Sequence, residues 1–426
     1  MTRLVGFTAL LATGWLALAA DAAVTLKVEC TPAEGWGAGG WGGARITLRN
    51  DGDAPARYVA LATKWYIGEE EAGDVWNEKP DQEIPPGGEY VHGPVGVLPV
   101  ELAERAAPGH ARIAGTVTVR VGDREEQLPL SLDVPTARLP EPLRQVTSGQ
   151  MALELMESRI SQWPNHQRVL RWLDQSYQAM AELTGGVPFD GRVLVIKEAP
   201  AHPWWAYAGN PIIMSTRYVP DVMEEVDANI IPFGWVHEIG HCFDVHGPWY
   251  IWNGPSCEFQ ANFKLAYAVE TIADPALRVN RARFKGGAYP VRADEAPMTG
   301  RDFVDAFFTT FGDDYLGDPT RTWDTLSSDE MHALFQRIVR AYGWDTFKGM
   351  YRTYARLAAQ EGLEPPASEE DKVRLLVAVL SHHARVDLVP IFARWRFPVT
   401  AENVAAVAAK YPLSEAAAPA RAREQE

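Results

Sequence analysis

Residues 237–246 read HEIGHCFDVH, with three histidines and two acids inside ten positions. On an α-helix, residues four apart are offset by only about 40° and rise by about 6 Å. His237 and His241 therefore project from one face and can share a metal ion. Glu238 is turned away by about 100°, so it stands beside such an ion as a base without ligating it. Phe233, Val236, Ile239, Gly240 and Phe243 supply buried neighbours for this helix, and Gly247-Pro248 stops it. The bland alternative is a buried helix with two satisfied histidines. It gives no reason for a glutamate at the position a base needs.

The third ligand is a matter of geometry. His246 lies five residues past His241, about 140° further round, and reaches the ion only if the helix breaks. Asp244 points away and reads as a last-turn surface residue. The metzincin pattern requires Gly three and His six residues after the second His, where this chain has Asp244 and Gly247. Glu258 remains. It stands near the start of a second apolar-periodic stretch, PSCEFQANFKLAYAVETIADP, which starts at Gly254-Pro255 and ends before Pro275. A Glu on a second helix packed on the first makes the His₂Glu zinc set with water as fourth ligand. Asn262, one turn after Glu258, shares its face and is expected to orient a ligand or bind substrate. The cofactor expected is one Zn²⁺.

The rest of the chain frames that site. It has 426 residues, is 46% hydrophobic and carries a formal net charge of −16. That length allows two domains with real cores, and the charge excludes nucleic acid and anionic lipid as favoured partners. MTR followed by LVGFTALLATGWLALAA has the order of a cleavable leader over residues 1–23. No later run is long and apolar enough to span a bilayer. The expectation is export to the periplasm or the extracellular space, without stable membrane insertion, as a monomer. Three cysteines, Cys30, Cys242 and Cys257, make no disulfide framework. Cys242 and Cys257 are the natural pair if a bridge forms, and otherwise both are buried thiols.

Residues 24–136 alternate apolar and polar residues in VTLKVEC, ARITLRN, RYVALATKWYI, ARIAGTVTVRV and EQLPLSLDV, with turns at 50–53 and 85–88. This predicts an antiparallel β-sandwich. The Gly-rich stretch at 35–43 lacks the phosphate-cradling pattern, and its Trp36 and Trp41 read as cover for a sheet edge. Residues 137–148 are Pro-rich and predict a linker. From 149 to 412 the pattern predicts a mostly helical α+β domain, with MALELMESRISQ as helix and GRVLVIKE and PIIMSTRY as strands, followed by a polar tail at 413–426.

The combination of HEIGH, a tryptophan-containing loop and CEFQAN resembles the enhancin-like, mucin-degrading metallopeptidase family (peptidase family M-sixty). WWAYAGNPIIMS (204–215) is similar to that family's A-G-Y-P-I-M segment, held to form the edge strand of its substrate cleft. AYGWDTFKGMYRTY (341–354) and DLVPIFARWRFPVT (387–400) resemble its Gly-Trp-Asp-x-Phe and Phe-x-x-Trp-x-x-x-Val helices. The likeness runs over roughly residues 145–410. Asn210 departs from the usual Tyr of the edge strand, and Cys242 from the usual polar residue after the second His.

The resemblance implies a multidomain chain whose second domain is a gluzincin-type zinc metallopeptidase. His237, His241 and Glu258 would be the metal ligands and Glu238 the catalytic base. It also implies cleavage beside glycosylated Ser or Thr in O-glycosylated, mucin-like proteins. Trp204, Trp205, Gly209, Asn210, Trp252 and Asn262 are then the expected substrate-binding residues, the tryptophans stacking on sugars. Each tryptophan alone reads equally well as core or rim. Tyr250, Tyr267, His382 and His383 are open candidates for a second oxyanion donor. Two other readings stand beside this one: a zinc endopeptidase indifferent to glycans, and a glycan-binding adhesin with a structural zinc. A structural site normally has four protein ligands, and three are identifiable.

Overall fold

Alternating segments separated by turns become strands throughout the N-terminal region. The computed structural model describes residues 14–15, 24–30, 44–95, 109–136, 139–199, 205–279, 298–308 and 311–413. Its first strands are β1 (Gly14–Trp15), β2 (Val24–Cys30), β3 (Ala44–Asn50), β4 (Ala56–Ile67) and β5 (Glu70–Glu78). Then come β6 (Gln82–Ile84), β7 (Glu89–Val95), β8 (Gly109–Val121) and β9 (Arg124–Thr136). They form two sheets, in the orders β1-β2-β3-β7 and β5-β4-β8-β9, with β6 paired to β4. Every one of these pairings is antiparallel. Ile46 and Leu48 from the first sheet share one core with Tyr58, Trp65, Ile113, Val117 and Leu128 from the second. Two antiparallel sheets closed on a common apolar layer are the sandwich that the alternation predicts. The expected leader lies outside the described residues except for β1, which pairs with Lys27 and Val28. The stretch at 35–43 and the tail beyond 413 lie outside them too.

The chain divides into two compact units. One comprises Met1–Leu143, Glu198–Trp205 and Ile213–Pro220, the other Arg144–Lys197, Ala206–Ile212 and Asp221–Glu426. Two expectations fail at the start of the second. The supposed linker contains β10 (Leu143–Ser148), and MALELM is not helical but forms β11 (Met151–Met156). β11 runs parallel to β12 (Leu194–Ala199), with Met151 opposite Leu194 and Glu154 opposite Lys197. All but one of its residues are buried, and a strand covered on both faces loses the alternation that would mark it. With β13 (Ala206–Tyr207) and β14 (Ile212–Ser215) the sheet order is β10-β11-β12-β14-β13.

Helices make up the remainder. α1 (Glu157–Gln162) and α2 (His166–Thr184) are separated at Pro164, followed by α3 (Val219–Asp227), α4 (Phe233–Cys242) and α5 (Gly254–Thr271). Next are α6 (Gly300–Phe308), α7 (Phe311–Gly317), α8 (Ser328–Tyr342) and α9 (Trp344–Ala358). α10 (Glu369–Ala384), α11 (Val389–Arg394) and α12 (Ala401–Ala408) are the last helices among the described residues. α5 is central, packing on α2, α4, α6 and α8, and its unbroken buried run from Phe259 to Val269 fits a helix covered on all sides. Phe259 and Phe263 anchor it against Phe335 and Phe347, with ring centroids 4.5 and 4.7 Å apart. No helix among the described residues is long and apolar enough to cross a membrane.

Candidate metal centre

The HEIGH stretch lies wholly within α4, which packs against α5. Gly240 is what permits the close approach. A Cβ there would sit 2.7 Å from the Ala261 carbonyl oxygen, so any side chain would push the helices apart. α5 starts on a fixed register as well. Asn253 and Ser256 form a reciprocal capping box, and Pro255 occupies its first turn. These two devices bring Glu258 to the histidines of the neighbouring helix.

His237, His241 and Glu258 are the one group of three or more potential ligands that converges among the described residues. The Nε2 atoms of His237 and His241 are 3.0 Å apart, and Glu258 Oε2 lies 3.2 Å from the first and 3.6 Å from the second. Zinc–ligand bonds of about 2.0–2.1 Å in a tetrahedron require ligand atoms about 3.3 Å apart. The triangle fits one face of such a tetrahedron and leaves the fourth corner for a non-protein ligand. Nitrogen–nitrogen–oxygen is also a donor set that suits zinc.

The charges agree with that use. Hydrogen bonds and charge from His237 and His241 hold the Glu258 carboxyl far below its usual range. Burial alone would depress the His237 imidazole, but Glu258 and Glu238 outweigh it and raise the group. An ion there competes with a proton for His237 Nε2, so binding should weaken as pH falls. Burial pushes Glu238 upward against the pull of both histidines, and its carboxylate accepts a backbone hydrogen bond from Ala208. A raised carboxyl beside the metal position suits a group that takes up and returns a proton.

Outer partners orient the ligands. Asn262 Oδ1 lies 2.7 Å from His237 Nδ1. An amide oxygen only accepts, so Nδ1 carries the proton and Nε2 presents its lone pair to the ion. His241 Nδ1 faces two looser partners, Cys257 Sγ at 3.7 Å and Asp244 Oδ2 at 3.9 Å. Asp244 is not the surface residue expected. Its Oδ1 accepts from Lys264 Nζ at 2.6 Å and from the Tyr250 hydroxyl at 3.0 Å, and the Lys264 side chain is 0% exposed.

Several expected substrate residues have other duties. Trp252 is only 3% exposed and meets the Phe397 ring edge-on, so it offers no face to a sugar. Asn262 is buried and holds His237. The Asn210 amide is used on the backbone, donating to the Val193 carbonyl and accepting from Val195 N–H. The Gly209 carbonyl accepts from the Cys242 thiol at 3.4 Å. Trp205 is half-buried with its ring tilted over Tyr218, and Trp204 lies outside the described residues. The oxyanion candidates are also committed. Tyr250 donates to Asp244, Tyr267 bonds with Glu182 and Lys348, and His383 meets Thr353, with His382 stacked edge-on against it.

Cys242 and Cys257 are free thiols with separate partners, not a bridge. Burial pushes Cys242 up to about 12 and Cys257 up to about 11, so neither is a reactive thiolate. His246 stands outside the ligand cluster, at the start of a short 3-10 turn. Tyr207 was not anticipated. It is 57% exposed on β13, the strand packed beside α4, and precedes the Ala208 that bonds Glu238. Alternation in WWAYAG, which buries Ala206 and turns Tyr207 outward, carried that signal.

No protein-family model matches the chain. It is similar to TRPM8 channel-associated factor 2 of Homo sapiens, 23% identical over 265 residues, which are 61% of this chain and 26% of that protein. The chain thus spans about a quarter of that relative's length. Among solved structures it is similar to a conserved protein from Bacillus anthracis str. Ames, with a TM-score of 0.47 at 16% identity, covering 84% of this chain and 71% of the other. A metallopeptidase from Bacteroides thetaiotaomicron matches with a TM-score of 0.41 at 14% identity, covering 87% and 65%.

Proposed function

We propose that the chain is a zinc metallopeptidase that hydrolyses peptide bonds in O-glycosylated proteins beside a glycosylated Ser or Thr. The observation that carries the enzymatic part is the three-atom ligand triangle with Glu238 on the adjoining helix face. His237, His241 and Glu258 would hold the ion. Bound there, zinc supplies Lewis-acid polarisation and brings the pKa of water toward about 7. Glu238 takes a proton from the attacking water and returns it to the leaving amine, a role its raised carboxyl fits. Asn262 keeps His237 in the ligating tautomer. Ala208 and Gly209, fastened to α4 through Glu238 and Cys242, hold the neighbouring strand where an extended peptide can lie along it.

The substrate class rests on the likeness of the edge strand and the downstream helices to mucin-degrading peptidases. With Trp252, Asn210 and Asn262 otherwise engaged, Tyr207 is the aromatic face best placed to meet a sugar. Export to the periplasm or outside the cell rests on the leader pattern alone.

Glu238→Ala should retain one zinc and its fold but lose at least about 10²-fold in rate, while Glu258→Ala should lose stoichiometric zinc. Full activity in Glu238→Ala would end the mechanism. Mass spectrometry of the termini released from matched glycosylated and bare substrates tests the glycan requirement. Equal cleavage of both would leave an endopeptidase without glycan preference.

A further inference from the structure

Against a net charge of −16, one cleft of about 590 Å³ collects cations. Lys348, Arg352 and Arg356 stand four residues apart along α9, and His382 and His383 face them from α10. Like charges at that spacing repel, so the arrangement is unfavourable unless something negative balances it. Acids do so chiefly at one end, where Glu182 also lies within electrostatic reach of Arg352. Lys348 pairs with Glu182 at 2.6 Å and lies 3.9 Å from Asp345. At the other end Arg356 donates to the Pro412 and Leu413 carbonyls, which are neutral acceptors that leave its charge intact. Arg352 is exposed and has no hydrogen bond or ion pair with any described residue.

The floor of the cleft is shaped as well as charged. Gly349 sits inside α9, where glycine weakens a helix. A Cβ there would lie 2.4 Å from His383 Nδ1, so only glycine lets that imidazole rest against the helix. Thr353 Oγ1 fixes the ring at 2.8 Å from Nε2. The local field can be read from His383 itself, which is depressed by burial and then by His382, Arg356 and Arg352.

We propose that this cleft binds a compact oxyanion, the carboxylate or sulfate of an acidic sugar or a free inorganic anion, with Arg352 and Arg356 as the principal cationic contacts. Guanidinium groups suit planar or tetrahedral oxyanions because their donors form a fork. The volume fits one or two sugar rings rather than a polymer. The proposal stands apart from the peptidase reading, because its readout is binding alone.

The test is calorimetric titration of the full chain at low ionic strength with inorganic sulfate, inorganic phosphate, N-acetylneuraminic acid and, as a neutral control, N-acetylgalactosamine. The anions should bind saturably and weaken with added salt, while the neutral sugar should not bind. Arg352→Glu should weaken anion binding at least about tenfold with a nearly unchanged melting temperature, since that exposed side chain loses no hydrogen bond or ion pair, only a longer-range attraction to Glu182. Arg301→Gln, a surface change elsewhere, should leave it intact. Tighter binding of the acidic sugar than of the inorganic ions would assign the cleft to glycans, and equal binding to free anions. No saturable binding by the unmodified chain, or an unaffected Arg352→Glu, would overturn the proposal.

Discussion

The two histidines of the candidate metal centre are held in different ways. His237 has one direct partner, the Asn262 amide at 2.7 Å. His241 has two distant ones, a thiol at 3.7 Å and a carboxylate at 3.9 Å already bound to a lysine. On the first side a single neutral hydrogen bond sets the tautomer. On the second a buried charge pair stiffens the surroundings and touches the ligand only weakly. Orientation of a ligand and rigidity of its scaffold are thus separable here, and different residues supply them.

Mutations can pull the two apart. The largest effect is expected on stability, from Lys264→Met, which strands the Asp244 carboxylate in the interior. Breaking a buried pair by removing one partner costs about 3–5 kcal/mol. Urea unfolding should show that loss, and adding Asp244→Asn should recover part of it. A single variant as stable as the parent would mean that Asp244 takes up a proton or reaches water instead. Next comes Asn262→Ala, for which zinc affinity should fall about 10–100-fold with stability little changed, as read by competition with a chelator of known affinity. Cys257→Ala should lower zinc affinity by less than about threefold, because a thiol is a weak partner. If Cys257→Ala proved more damaging than Asn262→Ala, the ranking of the two sides would be reversed. The smallest effect belongs to His246→Ala, where one zinc per chain should remain by metal analysis.

What could be read from residue order was what depends on local spacing. His237, Glu238 and His241 are fixed relative to one another by helical rotation alone, and Glu258 follows from the next helix start, marked by Gly254-Pro255. Asp244 escaped because its partner Lys264 is twenty residues away on another helix; viewed along α4 alone, it had nowhere to go but solvent. Trp252 and Asn210 were misjudged for a related reason, since whether an aromatic or amide faces a cleft or a core is decided by chains packed over it. β11 was lost because burial on both faces erases the period that separates strand from helix. In the sequence Gly240 reads simply as a buried neighbour, whereas its lack of a side chain is what sets the distance between the helices that carry His237, His241 and Glu258.

One asymmetry in the candidate ligand set bears on how a metal would enter and leave. The histidine side chains are 14% and 15% exposed, whereas Glu258 is 56% exposed. The site is walled by α4 and open at its carboxylate. An incoming ion can meet Glu258 first while still largely hydrated and then pass to the imidazoles, and a chelator can reach it along the same edge. Loading and stripping of the centre should therefore be reversible exchange at the surface of a folded protein, at rates set by that one carboxylate rather than by opening of the helices.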